Sequence, residues 1–155
     1  MTERRIDDEI RLIPYYRNDD VSLEWYQDPD VCKQVDNRTE PYDLALLHRM
    51  YDYLSMHGEC YYIEYQNVLV GDVSLRDDGE TAIVVCKEYQ NRHIGRRCIE
   101  EMIKLAKEKG MQTVKANIYS FNSQSRKMLE SAGFYRIDDE WYECRCGKET
   151  VNKDS

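Results

Sequence analysis

Apolar and polar residues follow two rhythms along this chain, and the switches between them mark its elements. Residues 9–16 place Ile10, Leu12, Ile13 and Tyr15 in a near-alternating run, the two-residue period of a strand. Asn18, Asp19 and Asp20 supply capping oxygens for a short helix over residues 21–26, with Pro29 read as its stop. Leu44, Leu47, Met50, Tyr51 and Leu54 recur at helical spacing, predicting a helix over residues 42–57 that closes at Gly58. Residues 60–65 and 68–75 are β-rich and separated by Gln66-Asn67, a hairpin signal. A turn at Asp77-Asp78-Gly79 leads into a strand over residues 81–86.

In the second half, Ile94, Cys98, Ile99, Met102, Ile103 and Ala106 form one apolar helical stripe, closed by Lys109-Gly110. A strand is predicted over residues 114–119. Asn122 caps a helix carrying Met128, Leu129 and Ala132 and ending at Gly133. Strands over residues 134–137 and 141–146 complete the order β-α-α-β-β-β-α-β-α-β-β. With no repeat, linker or low-complexity tract, this predicts a single mixed α+β domain spanning residues 1–155 around one sheet. The polar tail from Gly147 to Ser155 is expected to fray.

Composition narrows the function classes. The 155 residues include 22 Lys+Arg and 30 Asp+Glu, a formal charge of −8 and a pI near 5.0, which argues against coating nucleic acid or an anionic membrane. The average conceals a partition. Residues 1–80 carry 8 Lys/Arg against 19 Asp/Glu, whereas residues 87–127 carry 10 against 4. The first residues lack the apolar stretch of a secretory signal, and no apolar run reaches membrane-spanning length, so a cytoplasmic location is expected. There the six cysteines are expected as free thiols. Cys144 and Cys146 share a strand face but have no second pair and no nearby His, so they read as packed thiols and no metal site is expected.

The basic segment holds the informative chemistry. A β-rich run ending in Val84-Val85-Cys86-Lys87 enters a polar loop, Gln90-Asn91-Arg92-His93, and then a helix opening Ile94-Gly95-Arg96-Arg97. Amides at a helix N-terminus lack internal partners and favour an anion. Gly95 lets the main chain approach a ligand closely, and Lys87, Arg92, Arg96 and Arg97 add positive charge. This combination suits a pyrophosphate.

At this point the sequence resembles the GNAT acetyltransferases. Their Arg/Gln-x-x-Gly-x-Gly/Ala signature maps onto Gln90 to Gly95, with His93 in place of the first glycine. A second match is the Asn-x-x-Ser run Asn122 to Ser125, followed by a helix ending in Gly133-Phe134. This form is most similar to the branch of ribosomal-protein and small-amine acetyltransferases. The resemblance spans residues from about 9 to 146. It implies a mostly antiparallel sheet of six to seven strands flanked by about four helices, with acetyl-CoA as co-substrate. Val84, Val85, Lys87, Gln90, Asn91, Arg92, His93, Ile94, Gly95 and Arg96 would line or hold the cofactor, together with Asn122 and Ser125. A backbone N–H near Val85 would meet the developing oxyanion.

The implied reaction is direct attack of an amine on the thioester in a ternary complex. Many relatives place a Tyr where this chain has Leu129, so the usual proton donor to the thiolate is absent; Tyr119, Tyr135 and Ser125 are stand-ins that no spacing separates, and a thiolate can also depart unassisted. For the base, Glu80 and Asp72 are the candidates. The acidic, tyrosine-rich first half suits a small cationic amine through Coulomb and cation–π attraction. A peptide N-terminus is the alternative acceptor, and a non-catalytic acyl-CoA binder the alternative from another class. A monomer or homodimer is expected.

Overall fold

The structure is a computed structural model describing residues 1–147; beyond Gly147 the tail expected to fray lies outside the described residues. Its elements are β1 (Arg4–Arg5), β2 (Ile10–Pro14), α1 (Asp19–Trp25), α2 (Pro29–Asp36), α3 (Leu44–Met56), β3 (Gly58–Tyr65), β4 (Val68–Arg76), β5 (Thr81–Val85), a 3-10 turn (Lys87–Tyr89), α4 (Ile94–Glu108), β6 (Thr113–Asn117), α5 (Ser123–Ser131), β7 (Tyr135–Asp138) and β8 (Trp141–Arg145). The strands form a five-stranded antiparallel sheet, β1-β2-β3-β4-β5, and a three-stranded one, β6-β8-β7.

Most elements follow the sequence pattern, for identifiable reasons. Gln66 and Asn67 both take positive φ, 48° and 70°, the two left-handed residues that a tight hairpin turn needs. The Asp43 carboxylate accepts from Leu46 N at 2.8 Å and so starts α3 two residues later than the periodicity alone suggests. Pro29 lies beyond the end of α1, as expected, but it also opens a helix that the sequence pattern does not show. Asp28 caps the Asp30 and Val31 amides, and Pro29 occupies the first turn, where its missing N–H costs nothing. The other unforeseen element, β1, is held by distant partners: the Arg4 guanidinium bonds Glu101 and Glu108 on α4.

Both faces of the larger sheet are covered. Along β3, Tyr61, Ile63 and Tyr65 pack with Ile94, Cys98, Ile99, Met102 and Leu129 beneath α4 and α5. On the opposite face Cys60 and Tyr62 pack with Trp25, Tyr26, Leu47, Tyr51 and Val84 beneath α1 to α3. Cys144 and Cys146 are buried in the first cluster, where burial raises both thiol pKa values. β4 and β5 meet so closely at Gly71 that an added Cβ would lie 1.9 Å from the Val84 carbonyl oxygen. Gly71→Ala is therefore expected to destabilise the fold by roughly 1–3 kcal/mol, read as a lower midpoint of chemical denaturation.

The two sheets touch at one point. Glu80 and Lys115 form a single parallel bridge, and Lys115 N donates to the Gly79 carbonyl at 2.9 Å. Beyond it β5 and β6 run side by side without pairing, and a groove opens between them.

Candidate active site

A groove of about 490 Å³ occupies the splay between β5 and β6. Residues 81–85 form one wall and residues 116–118 the other, with α4 and α5 closing its base and Gln34 and Val35 of α2 entering from the opposite face. β5 turns an unpaired edge toward this space. Cys86 N donates to the Val70 carbonyl at 2.8 Å, and the register runs Gly71 against Val85 and Asp72 against Val84. Antiparallel pairs alternate between bonded and non-bonded, so Val84 bonds to β4 and the main-chain groups of Ile83 and Val85 point toward β6. The Val85 carbonyl is taken by Gln90 Nε2 at 2.9 Å. Its N–H, facing the groove, has no partner among the described residues.

The loop into α4 has the features of an anion cradle. Asn91 and His93 are left-handed, with φ of 67° and 62°. The amides from Asn91 to Arg96 donate to no other described residue. Left- and right-handed residues in succession turn such N–H groups to one side, and the helix dipole adds positive potential there. The conformation also explains why a glycine would be at home at position 93. Histidine tolerates the left-handed region better than most side chains and keeps the same main-chain path. A Cβ on Gly95 would point between Met128 Cε at 3.6 Å and Ile83 Cδ1 at 3.9 Å, both groove-lining residues.

Ten of the twelve residues expected to hold the cofactor line this one groove. Val84 and Val85 lie on β5, Gln90, Asn91 and His93 on the loop, Ile94, Gly95 and Arg96 on α4, and Asn122 and Ser125 at the start of α5. Lys87 and Arg92 lie outside the lining. The Lys87 ammonium is ion-paired with Asp30, and the Arg92 guanidinium stacks 4.9 Å from the Tyr89 ring centre. Arg97 is likewise drawn inward. It bridges Asp7 and Glu9 and donates to the His93 and Arg92 carbonyls, bracing the cradle from behind. Gln90 uses its side chain on protein partners, and Asn122 accepts from Ser125 N at 3.2 Å, capping α5. Gln124 ties the two motif segments together through Asn91 Oδ1 at 3.0 Å. Gln124 and Lys127, three positions apart on one face of α5, also line the groove; their spacing from each other is the only local sign of it. Gln34 and Val35 come from a distant segment, with no local sign of it.

Of the acid–base candidates only Ser125 lines the groove; Tyr135 lies outside it, and Glu80, Tyr119 and Asp72 are dispersed. Glu80 sits at the bridge between the sheets, its carboxylate bonded by Arg76 Nη1 at 3.1 Å and outside the groove lining. Tyr119 stacks on Phe121 at 5.6 Å, also outside it. Asp72 is buried on the face carrying α1 to α3, directly opposite Val84 across the strand pair. Its Oδ2 accepts from the Tyr26 and Tyr51 hydroxyls at 2.7 and 2.8 Å. Burial pushes the Asp72 carboxyl up to about 6, against the two phenol bonds that favour its charge. Leu129 is buried in the core and offers no acid to a leaving thiolate.

Residues 22–134 match the Acetyltransferase (GNAT) family. The chain belongs to it. Solved structures agree in fold. A Salmonella typhimurium protein, yncA, solved with its cofactor acetyl-CoA, aligns with a TM-score of 0.69 at 17% identity over 96% of this chain and 100% of that one. Spermidine N-acetyltransferase from Vibrio cholerae, in complex with CoA and spermine, aligns with a TM-score of 0.72 at 14% identity, covering 90% and 96%. An acetyltransferase (GNAT family) from Bacillus anthracis gives 0.73 at 16%, covering 88% and 92%. The chain is thus an acetyl-CoA-dependent N-acetyltransferase with the mixed α+β fold of that family. Among the described residues no helix is long and apolar enough to cross a membrane.

The groove of this GNAT chain fits acetyl-CoA on its own features: unpartnered amides from Asn91 to Arg96, a side-chain-free surface at Gly95, and an unpaired strand edge at Ile83 and Val85. The first would meet the diphosphate and the last the amides of the pantetheine arm.

Proposed function

We propose that this acetyltransferase acts on the primary amine of a small cationic acceptor, by direct attack while both substrates share the groove. Acetyl-CoA supplies an acyl group already activated as a thioester. The chain's part is to hold, orient and polarise. The observation that carries the reading is the Val85 N–H, turned into the splay one residue beyond Val84, where a donor stabilises the charge developing on the acyl oxygen. The amide cradle fixes the other end of the cofactor, so most of the acceleration comes from proximity.

The acceptor is assigned to the face bearing α1 to α3, because Gln34, Val35 and Val84 open the groove on that side. That face carries the Asp72 carboxylate and the ring cluster of Tyr15, Tyr26, Tyr51 and Tyr62. Asp72 is sealed from the groove, so it acts on the amine through its field, and its charge is present above about pH 6. The amine, drawn in as a cation, gives one proton to solvent before it attacks, and its second proton passes through water to the departing CoA sulfur, since thiols titrate near neutrality. The spermine complex of the Vibrio cholerae neighbour supports an acceptor of this class.

A panel of polyamines, aminoglycosides and peptides, assayed by release of the CoA thiol, tests the assignment. Turnover is expected on the small cationic amines; turnover confined to peptides would replace them with a protein N-terminus. One observation favours a non-catalytic acyl-CoA binder: the burial of Leu129 at the position of the usual acid. Tight acetyl-CoA binding with no thiol release on any amine would establish that reading. Asp72→Asn is expected to raise KM for a cationic amine about tenfold at pH 7.5 with kcat little changed, from one charge removed at the acceptor face. An unaltered KM would remove Asp72 from acceptor recognition.

A further inference from the structure

α2 is the only described element from the first 80 residues that reaches the groove wall. Its attachment to the cofactor cradle is made by three side chains on one helical face, Asp30, Lys33 and Gln34, at spacings of three and four. Asp30 forms an ion pair with Lys87, in the turn after β5. Lys33 lies over the Phe121 ring at 5.1 Å, one residue before the Asn122 cap of α5. Gln34 Oε1 accepts from Gln90 Nε2 at 3.2 Å. The opposite face of α2 buries Val31 and Cys32 in the tyrosine-rich cluster.

The Gln90 amide group joins these parts. Its Nε2 donates both to the Val85 carbonyl, on the residue whose N–H faces the groove, and to Gln34 on the acceptor wall. Gln90 is also the first residue of the loop whose free amides form the anion cradle. One side chain therefore links the end of β5, the cradle and α2. Any ligand that narrows the motion of the cradle narrows Gln90, and through it the position of α2.

We propose that Gln34 is a positioning residue that couples the acceptor wall to the cofactor: occupation of the cradle orders α2, and with it the amine-binding side of the groove. This rests on the assignment of the groove to acetyl-CoA and names how the same site is regulated. Linkage makes the effect reciprocal, so whatever steadies α2 also tightens cofactor binding. Such coupling needs no movement of the backbone; loss of freedom at one site lowers the entropy cost at the other.

Hydrogen exchange of the α2 amides, with and without saturating coenzyme A, tests it without knowledge of the amine. In the wild type, coenzyme A is expected to slow exchange across residues 31–36 by about tenfold, within the usual range of coupling between sites. In Gln34→Leu, which keeps the bulk but removes the acceptor oxygen, the slowing is expected to fall below about twofold. Gln34→Glu, which retains an oxygen for Gln90, is expected to preserve it. A purely structural role would change exchange equally with and without ligand. If coenzyme A binds by calorimetry yet leaves α2 exchange unchanged in the wild type, or if Gln34→Leu keeps the full response, the coupling is wrong while the groove assignment stands. If coenzyme A does not bind at all, both fall.

Discussion

Gly95→Trp is expected to raise the Kd for acetyl-CoA at least about a hundredfold, a loss of roughly 3 kcal/mol or more. Position 95 is the second residue of α4, and its missing Cβ points into the groove between β5 and α5. The nearest atoms to an added methyl, at 3.6 and 3.9 Å, are the ends of Met128 and Ile83, which is ordinary contact. An alanine therefore fits without disturbing the fold, and an indole extends into the space that the diphosphate and pantetheine arm would need. The pair of variants separates binding from folding. Gly95→Ala should melt as the wild type does, since helical alanine is if anything favoured over glycine. Gly95→Trp should retain a cooperative transition but show little heat of binding in calorimetry. Wild-type affinity in the tryptophan variant would place the cofactor elsewhere.

Asp72→Ala is expected to cost roughly 2–6 kcal/mol of stability, because it strands two fully buried phenols that now donate to one carboxylate oxygen. Asp72→Asn behaves differently. Its carboxamide oxygen still accepts from Tyr26 and Tyr51, and no buried charge remains. The difference is readable as a pH dependence. The folded-state pKa of about 6 lies above the unfolded value of about 3.9. Between those values the folded chain binds more protons, so Asp72's contribution is complete below about pH 4 and is lost as pH rises through about 6. The wild type is thus expected to lose about 3 kcal/mol relative to Asp72→Asn between pH 4 and pH 7. Carboxylates held low by partners, such as Glu108 bonded by Arg4 and Asp30 by Lys87, act in the opposite direction in more acid solution. They are common to both proteins and cancel. Urea midpoints across pH 4 to 7 make the measurement, and a constant gap between the two would refute the buried ionisable role.

The Asp72 cluster also shows where the sequence could not lead. Asp72 stands out as an acid on a β-rich run, and a base in contact with the amine is the natural reading. Its side chain instead faces Tyr26 and Tyr51, from segments 46 and 21 residues away. No local pattern announces a carboxylate closed in by two distant phenols. Lys87 is a similar case: its charge is legible, but its partner Asp30 lies 57 residues earlier on a helix that the pattern does not show. α2 itself escapes the pattern because Pro29 reads first as an end. Proline serves equally well in a first helical turn when an aspartate precedes it.

Apart from the start of α2 at Asp28-Pro29, what the sequence by itself determined was set by neighbours along the chain. Helical and strand periods placed the main elements, and Asn122 capped α5 as read, whereas Asn18 makes no side-chain cap on α1; Gln66-Asn67 made the hairpin, and the spacing from Gln90 to Gly95 marked a loop of free amides at a helix start. These are interactions within a few residues, so their signal is written in consecutive letters. The tertiary structure alone decided the rest: that β5 and β6 bridge only at Glu80 and Lys115 and then part, that the Val85 N–H faces the opening, and that α2 reaches the groove wall through Gln34. Those depend on which strand edge is left unpaired and which charges find each other across the fold. Such choices are made by the packing of the whole domain, and no short window of sequence contains them.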